Sequence, residues 1–338
     1  MIISISLIIG AVLIDLLIGD PKFIPHPVEI MGCLIKFLRE KVESSVHKGR
    51  LFFRFGGTLI TFSVISLSAL CGWIIEQLLF TSFFPIPQAL SYLIVIFALA
   101  SSLAAKSLKR SVLEIINSLN NDLFKDNLEL AQEKLSHIVG RDVDKLDRNE
   151  ILRATAESAS ENAVDGIFAP LFWMLIGIIS WNISTTFPGP LAFAWFFKAT
   201  STIDSMLGYK VGNLRWIGES GARLDDILTF LPCRLVLISL PLISNNWMKL
   251  FYIIRKAWSE GSKDISPNSG ISEAIFAHCA QVQMGGINTY NKHSIEKPIL
   301  AKNAPIANIQ NIKKILNLSL RLEILWIIIL ISLHLLLS

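Results

Sequence analysis

The chain is 338 residues long, with 52% hydrophobic residues, 17% charged residues and a mean hydropathy of +0.54, which excludes an ordinary soluble globular protein. Its 31 basic and 27 acidic residues leave a net charge of +4, too small to imply a nucleic-acid partner. Cys33, Cys71, Cys233 and Cys279 form no CxxC pair, so neither a zinc site nor a disulfide framework is indicated.

The first apolar run, Ile2–Ile18, is slightly short for a membrane span and carries Asp15. With no Lys or Arg before it and no small-residue cleavage pattern, it reads as a retained membrane segment. Residues 20–27, Asp-Pro-Lys-Phe-Ile-Pro-His-Pro, follow, and their prolines hold a stiff extended turn. Such an exit makes sense if Asp20 and His26 must be held in place, although a rigid linker is an equal alternative. Pro27–Val42 then has the pattern of an amphipathic helix, with Val28, Met31, Leu34, Ile35 and Leu38 on one face. Phe55–Phe80 and Ile86–Ala105 are each long and apolar enough to cross a bilayer, and Glu76 is expected at the interface.

Residues 106–152 read as a soluble helical region. Leu108, Val112, Ile115, Ile116 and Leu119 repeat at helical spacing, as do Leu128, Ala131, Leu135 and Ile138, and Gly140 stops the second helix. Asp147 followed by Glu150 predicts a capping box for the next helix. That helix sets Arg153, Glu157, Glu161 and Asp165 four residues apart, in one stripe. Like charges at this spacing each cost about 0.2–0.5 kcal/mol, and Arg153 offsets only the first carboxylate. Because the stripe runs directly into the apolar segment Ile167–Ile183, a metal or cationic ligand is favoured over a solvated acidic face.

Ile167–Ile183 is a further candidate span, and Ala192–Phe197 is a weaker one. In residues 197–209, Lys198, Thr202 and Ser205 share a helical face beside Asp204; a Lys and an Asp in so apolar a helix should be paired or functional. Arg215, Arg223, Asp225 and Asp226 open the next stretch. Ile227–Ile243 contains Pro232 and Arg234 and is expected to form a bent or re-entrant pair, since spanning would place Lys249, Arg255, Lys256 and Lys263 outside. Ser266-Pro-Asn-Ser-Gly270 opens a helix over Ile271–Gln283 that stops at Gly285-Gly286, and such a turn offers free N–H groups to an anion. The chain ends in the apolar helix Leu322–Leu337.

Basic residues crowd residues 36–54 and 106–153 and are missing from the hairpin between the two spans, so both loops are expected on the cytoplasmic side. The expected architecture is an all-α polytopic membrane protein with about five transmembrane helices plus cytoplasmic helical loops and re-entrant or amphipathic helices. It reads as one membrane-embedded catalytic domain over residues 1–338, with 106–165 as a cytoplasmic helical segment. Carboxylates beside an anion-binding turn suit Mg-nucleotide chemistry. Neither GxxxxGK[ST] nor GxGxxG occurs, and no Ser-His-Asp or Cys-His arrangement can be argued.

Five segments carry a resemblance: LIDLLIGDPKFIPHPVEIMG, LSHIVGRDVDKLDRNEILRATAESASENAVDGIFAPLFW, FKATSTIDSMLGY, ARLDDILTFLPCRL and SPNSG…MGGINTYN. In order, and over nearly the whole chain, they closely resemble the adenosylcobinamide-phosphate synthase family of cobalamin biosynthesis. The resemblance implies a multi-pass enzyme of the cell membrane with its active site on the cytoplasmic side. Family members join a propionate carboxylate of adenosylcobyric acid to the amine of (R)-1-aminopropan-2-ol or its O-phosphate. ATP would activate the carboxylate as an acyl phosphate, with Mg²⁺. Two departures from the family pattern are Lys210–Leu214, in place of Asn-Glu-Arg-Tyr, and Ser269–Ser272, which keeps the turn but loses an aromatic.

On this reading Glu157, Glu161 and Asp165, with Asp225 or Asp226, hold the metal. Ser266, Asn268, Gly270, Asn162, Asn288, Arg215 and Arg223 bind substrate or phosphate, with Lys198 beside them. Asp204, Asp20 or His26 takes the ammonium proton. The corrinoid docks near Phe168, Trp173 and Trp216. Membrane lipid and other membrane enzymes of the pathway are the remaining expected partners. Two other classes stay open: a transporter using Asp15, Glu76 and Arg234, and a non-catalytic scaffold for corrinoid enzymes.

Overall fold

A computed structural model describes residues 2–19, 26–44, 49–80, 86–119, 127–209, 211–244, 247–290 and 292–337. Apolar sequence that must satisfy its own backbone becomes helix. In chain order the helices begin with α1 (Ile2–Leu17), α2 (Pro27–Glu43), α3 (Arg50–Gln77), α4 (Gln88–Ala100) and α5 (Ala105–Leu119). They continue with α6 (Leu128–Ser136), α7 (Arg148–Ala163), α8 (Ala169–Ile183), α9 (Pro190–Leu207) and α10 (Leu214–Ile217). The last are α11 (Glu219–Ile243), α12 (Leu250–Gly261), α13 (Ser269–Ala280) and α14 (Ile309–Leu337). Between α13 and α14 lies an antiparallel hairpin of β1 (Met284–Tyr290) and β2 (His293–Leu300).

Four helical runs are long and apolar enough to cross a membrane: α3, residues 148–183, α11 and residues 309–332. The pair α4–α5, bent by 41°, makes a fifth if it is counted as one span. The protein is thus a helical, polytopic membrane protein of the expected kind.

The chain divides into two compact units. The first comprises residues 1–104, 169–229 and 330–338; there α9 packs on α3, α8 and α2, and α1 packs on α4. The second comprises residues 105–168 and 230–329, where α5, α6 and α7 pack together and α13 lies against α7 and α12. The periodic residues Leu108, Val112, Ile115, Ile116 and Leu119 of α5 are all buried, as are Ala131 and Leu135 of α6. Asp147 and Glu150 form the capping box expected at the start of α7.

Three features differ from the reading of the sequence. First, α11 is one continuous helix, not a bent pair, although Pro232 lies inside it. Proline lacks the N–H that the Leu228 carbonyl would accept, and the Trp173 indole donates to that carbonyl instead, at 3.2 Å. Second, Glu76, expected at the membrane interface, has its carboxylate enclosed by protein. Its carboxylate accepts N–H bonds from Gly189 (2.8 Å), Leu191 (2.5 Å) and Ala192 (3.3 Å), satisfying the free donors at the start of α9. Third, the segment after Gly285-Gly286 is the β-hairpin. Gly285 has φ +84°, and a side chain there would meet the Pro298 carbonyl at 1.9 Å, so only glycine admits β2 this closely.

Between α7 and α8, residues Val164–Phe168 form a π-helical turn. Pro170 follows after Ala169 and has no N–H to donate into the preceding turn. The wider π-turn lets the helix pass the proline.

A charged cavity beside an arginine clasp

The acidic stripe of α7 begins with a clasp. Glu157 is almost fully buried, and its carboxylate accepts from Arg141, from Arg153 at 2.9 Å and from the Gly285 N–H at 2.8 Å. Both guanidiniums also reach the Asn288 side-chain oxygen, and Arg153 donates to the Gly285 and Ile287 carbonyls at 3.0 Å each. Burial opposes the charge of Arg141, but Glu157 outweighs it and raises the guanidinium pKa above its ordinary value. The clasp therefore pins α7 to β1, and every oxygen of Glu157 is engaged within the protein.

One turn further along α7, Glu161 lines a cavity of about 280 Å³ whose other walls include Lys263, Asp264, Ser266, Ser269 and Lys297. Lys297 of β2 projects its ammonium to Glu273 of α13 at 2.9 Å and to Asp264 at 3.4 Å. Burial alone would lower this ammonium's pKa, but Glu273, Glu161 and Asp264 together raise it. Burial pushes the Glu273 carboxyl up to about 8, partly opposed by Lys297. The cluster thus sets one buried ammonium against several carboxyl groups, with burial favouring the neutral form of Glu273 and Lys297 opposing it.

The turn entering α13 is braced from both sides. Ser266 accepts from the N–H groups of Asn268 and Ser269 at 3.3 Å each, and its own N–H donates to Asp264 at 3.1 Å. Arg234 of α11 donates to the Asn268 side chain and to the Pro267 carbonyl at 2.8 Å. A side chain on Gly270 would sit 2.4 Å from both the Asp264 Cβ and the Gly261 carbonyl oxygen, so the turn is locked against α12.

The expected site residues divide between the two units. Asn162, Glu157, Glu161, Asp165, Ser266, Asn268, Gly270 and Asn288 belong to the second. Of these, Glu161 and Ser266 line the cavity. Asn268 and Asn288 instead hold the arginines, and Asn162 donates back to Ser158 at 2.9 Å. Asp165 lies on the π-turn. His26, Lys198, Asp204, Arg215, Arg223, Asp225 and Asp226 belong to the first unit, and Asp20 lies outside the described residues. His26 caps α2, its Nδ1 accepting from the Val28 N–H at 3.3 Å. Arg215, Arg223 and Asp226 line a separate cavity of about 360 Å³ within the first unit.

Among the described residues no group of three or more His, Cys, Asp or Glu is placed to hold a metal ion. Mg²⁺ that arrives on phosphates needs only one or two carboxylates, and the second-unit cavity offers Asp264 and Glu296 beside Glu161.

Residues 8–319 match the family model described as CobD/Cbib protein. The chain belongs to this family. It is 38% identical over 298 residues to the cobalamin biosynthesis protein CobD of Synechocystis sp., covering 88% of this chain and 82% of the relative. It is 36% identical over 326 residues to the protein of the same name from Clostridium acetobutylicum, covering 95% and 96%. The namesake from Photorhabdus laumondii is 34% identical over 292 residues, covering 86% and 84%. No solved structure matches the chain.

Six charged members of this cavity and clasp escaped the sequence reading: Arg141, Lys263, Asp264, Glu273, Glu296 and Lys297. Glu273 could have been found, because a lone carboxylate among the apolar and small residues of α13 needs a partner. Lys297 could not be found in that way, since in sequence it is one lysine of a polar hairpin and its three acidic neighbours come from distant segments.

Proposed function

We propose that this CobD/Cbib protein acts in cobalamin biosynthesis as an amide-forming ligase. It joins the propionate carboxylate of adenosylcobyric acid to (R)-1-aminopropan-2-ol or its O-phosphate, and the amine enters the second-unit cavity. The observation that carries this reading is opposite charge in one small space: Glu161, Asp264, Lys263 and Lys297 line one cavity together with Ser266 and Ser269. An amino alcohol phosphate is itself a zwitterion. Its ammonium pairs with Glu161, and its phosphate takes the serine turn and Lys263. At about 280 Å³ the cavity is at the lower limit for a small-molecule site, so it suits the amine and not the corrin ring.

Glu161 then accepts the ammonium proton, and the free amine attacks the activated carboxyl carbon. The amide C–N bond forms as the C–O bond to the activating phosphate breaks; the nitrogen's second proton goes to the departing phosphate, which leaves as hydrogen phosphate. ATP is the proposed source of activation. Mg²⁺ would be held by Asp264 and Glu296 and would offset phosphate charge. Lys297, fixed by Glu273 and Asp264, keeps positive charge in the wall.

The test is direct. Detergent-purified protein is incubated with adenosylcobyric acid, either amine and MgATP, and products are read by mass spectrometry. A product equal to the sum of the two substrates less one water supports the ligase. Absence of that product with both amines, from folded protein, refutes it.

A further inference from the structure

The cavity of the first unit has no part in the amine chemistry proposed for the second, and its composition is unusual. Trp216 of α10 is ringed by guanidiniums: Arg54 lies 4.7 Å from the ring centroid, Arg215 5.1 Å and Arg50 5.4 Å. Arg54 and Arg223 share the carboxylate of Glu219, each at 2.7 Å. Among the described residues, no carboxylate forms an ion pair with Arg50 or Arg215. The cavity, about 360 Å³, thus holds a guanidinium excess over Glu219 and Asp226.

Its position narrows the ligand. Arg50 and Arg54 stand in the first turns of α3, and Glu219 and Arg223 in the first turns of α11; both helices are long and apolar enough to span. The cavity therefore opens where two spans begin on one membrane face, at the depth where tryptophan and arginine meet lipid headgroups. Leu51 and Phe55, next to these arginines on α3, are 80% and 63% exposed. A soluble phosphate has no use for that apolar rim, whereas acyl chains do.

We propose that this cavity binds the phosphate headgroup of an anionic phospholipid, with the guanidinium of Arg215, which lines it, and that of Arg50, on the Trp216 ring beside it, as its main contacts. The assignment is independent of the ligase reading.

The test titrates the full-length protein, in neutral detergent, with phosphatidylglycerol or phosphatidylcholine and counts retained lipids by native mass spectrometry. Phosphatidylglycerol should be preferred, and Arg50→Gln/Arg215→Gln should weaken its retention by about fivefold per guanidinium. Arg50→Lys/Arg215→Lys should retain most of the preference. Neither Arg50 nor Arg215 forms an ion pair within the described residues, so the Gln variant should melt like the parent. If it does not, the Lys variant and the competition arm still decide. Equal retention of the two lipids overturns the proposal, as does a preference unchanged in the Gln variant. Displacement of phosphatidylglycerol by millimolar inorganic phosphate or ATP reassigns the cavity to a soluble anion and likewise overturns it.

Discussion

Glu157 separates a structural role from a metal-binding one. Glu157→Gln keeps the volume and an oxygen for the Gly285 N–H, but removes the charge that Arg141 and Arg153 share. The Glu157 side chain is 1% exposed, that of Arg141 6% and that of Arg153 17%. Removing one partner of a buried pair costs about 3–5 kcal/mol, because an uncompensated charge remains. Arg153 is reached by some solvent, which places the expected loss near ~3 kcal/mol. Thermal unfolding of the purified variant should therefore begin several degrees lower, with the same Mg²⁺ concentration needed for half-maximal activity in the protein that remains folded. An unchanged melting temperature together with a tenfold higher Mg²⁺ requirement would show that Glu157 ligates metal, and the clasp would be wrong.

Glu161→Gln should lower turnover by about 10²-fold or more, the usual contribution of a positioned proton acceptor, while the melting temperature stays near the parent's; product formation and unfolding measured on one preparation decide this. Glu273 titrates at about 8 when folded against 4.5 ordinarily, so between those pH values the folded state holds a proton that the unfolded state has released. Its contribution to stability is then largest at low pH and falls as pH rises to about 8. Lys297, raised above its ordinary 10.5, adds stability that is lost only above pH 10.5, outside this window. Glu161 is a second carboxyl held near the same ammonium, so Glu273→Gln should reduce, without abolishing, the fall in melting temperature between pH 5 and 8, and an unchanged slope would remove Glu273 as one of its sources. Glu76→Ala should leave three donors at the start of α9 without an acceptor, at about 1–3 kcal/mol each, and expression as folded, monodisperse protein is the readout. Gly270→Ala drives a methyl into Asp264 and Gly261; overpacking of this kind costs about 1–3 kcal/mol and should displace the serine turn, raising the KM for the amine.

What could be read from the sequence was what depends on neighbours along the chain. Helical periodicity placed the buried face of α5 residue by residue, and the Asp147–Glu150 spacing predicted a cap that is present on both sides. Arg153 was expected to offset Glu157, and it does. Features that depend on distant partners were not legible. Pro232 argued for a break in α11, but the indole that satisfies the freed carbonyl is 55 residues away. Glu76 reaches donors more than a hundred residues later. The hairpin was missed for a different reason: β1 opens on two glycines that read as a helix stop, and β2 shows no apolar–polar alternation, its first four residues all being exposed.

The stripe on α7 shows why spacing alone cannot assign chemistry. Glu157, Glu161 and Asp165 look equivalent in sequence, each one turn from the next, and a shared cation was the economical reading. Arg141, arriving from the loop before α7, closes over the first of them and removes it from solvent. Glu161 instead meets the cavity that α13 and β2 complete, where Lys263 and Lys297 supply the opposite charge. Asp165 falls where the helix widens into a π-turn ahead of Pro170, so it no longer keeps the α-helical register of the other two. One carboxylate is held inside the arginine clasp, and the next lines the cavity. Substitutions at the two positions should therefore fail in different ways: Glu157→Gln in stability, and Glu161→Gln in turnover.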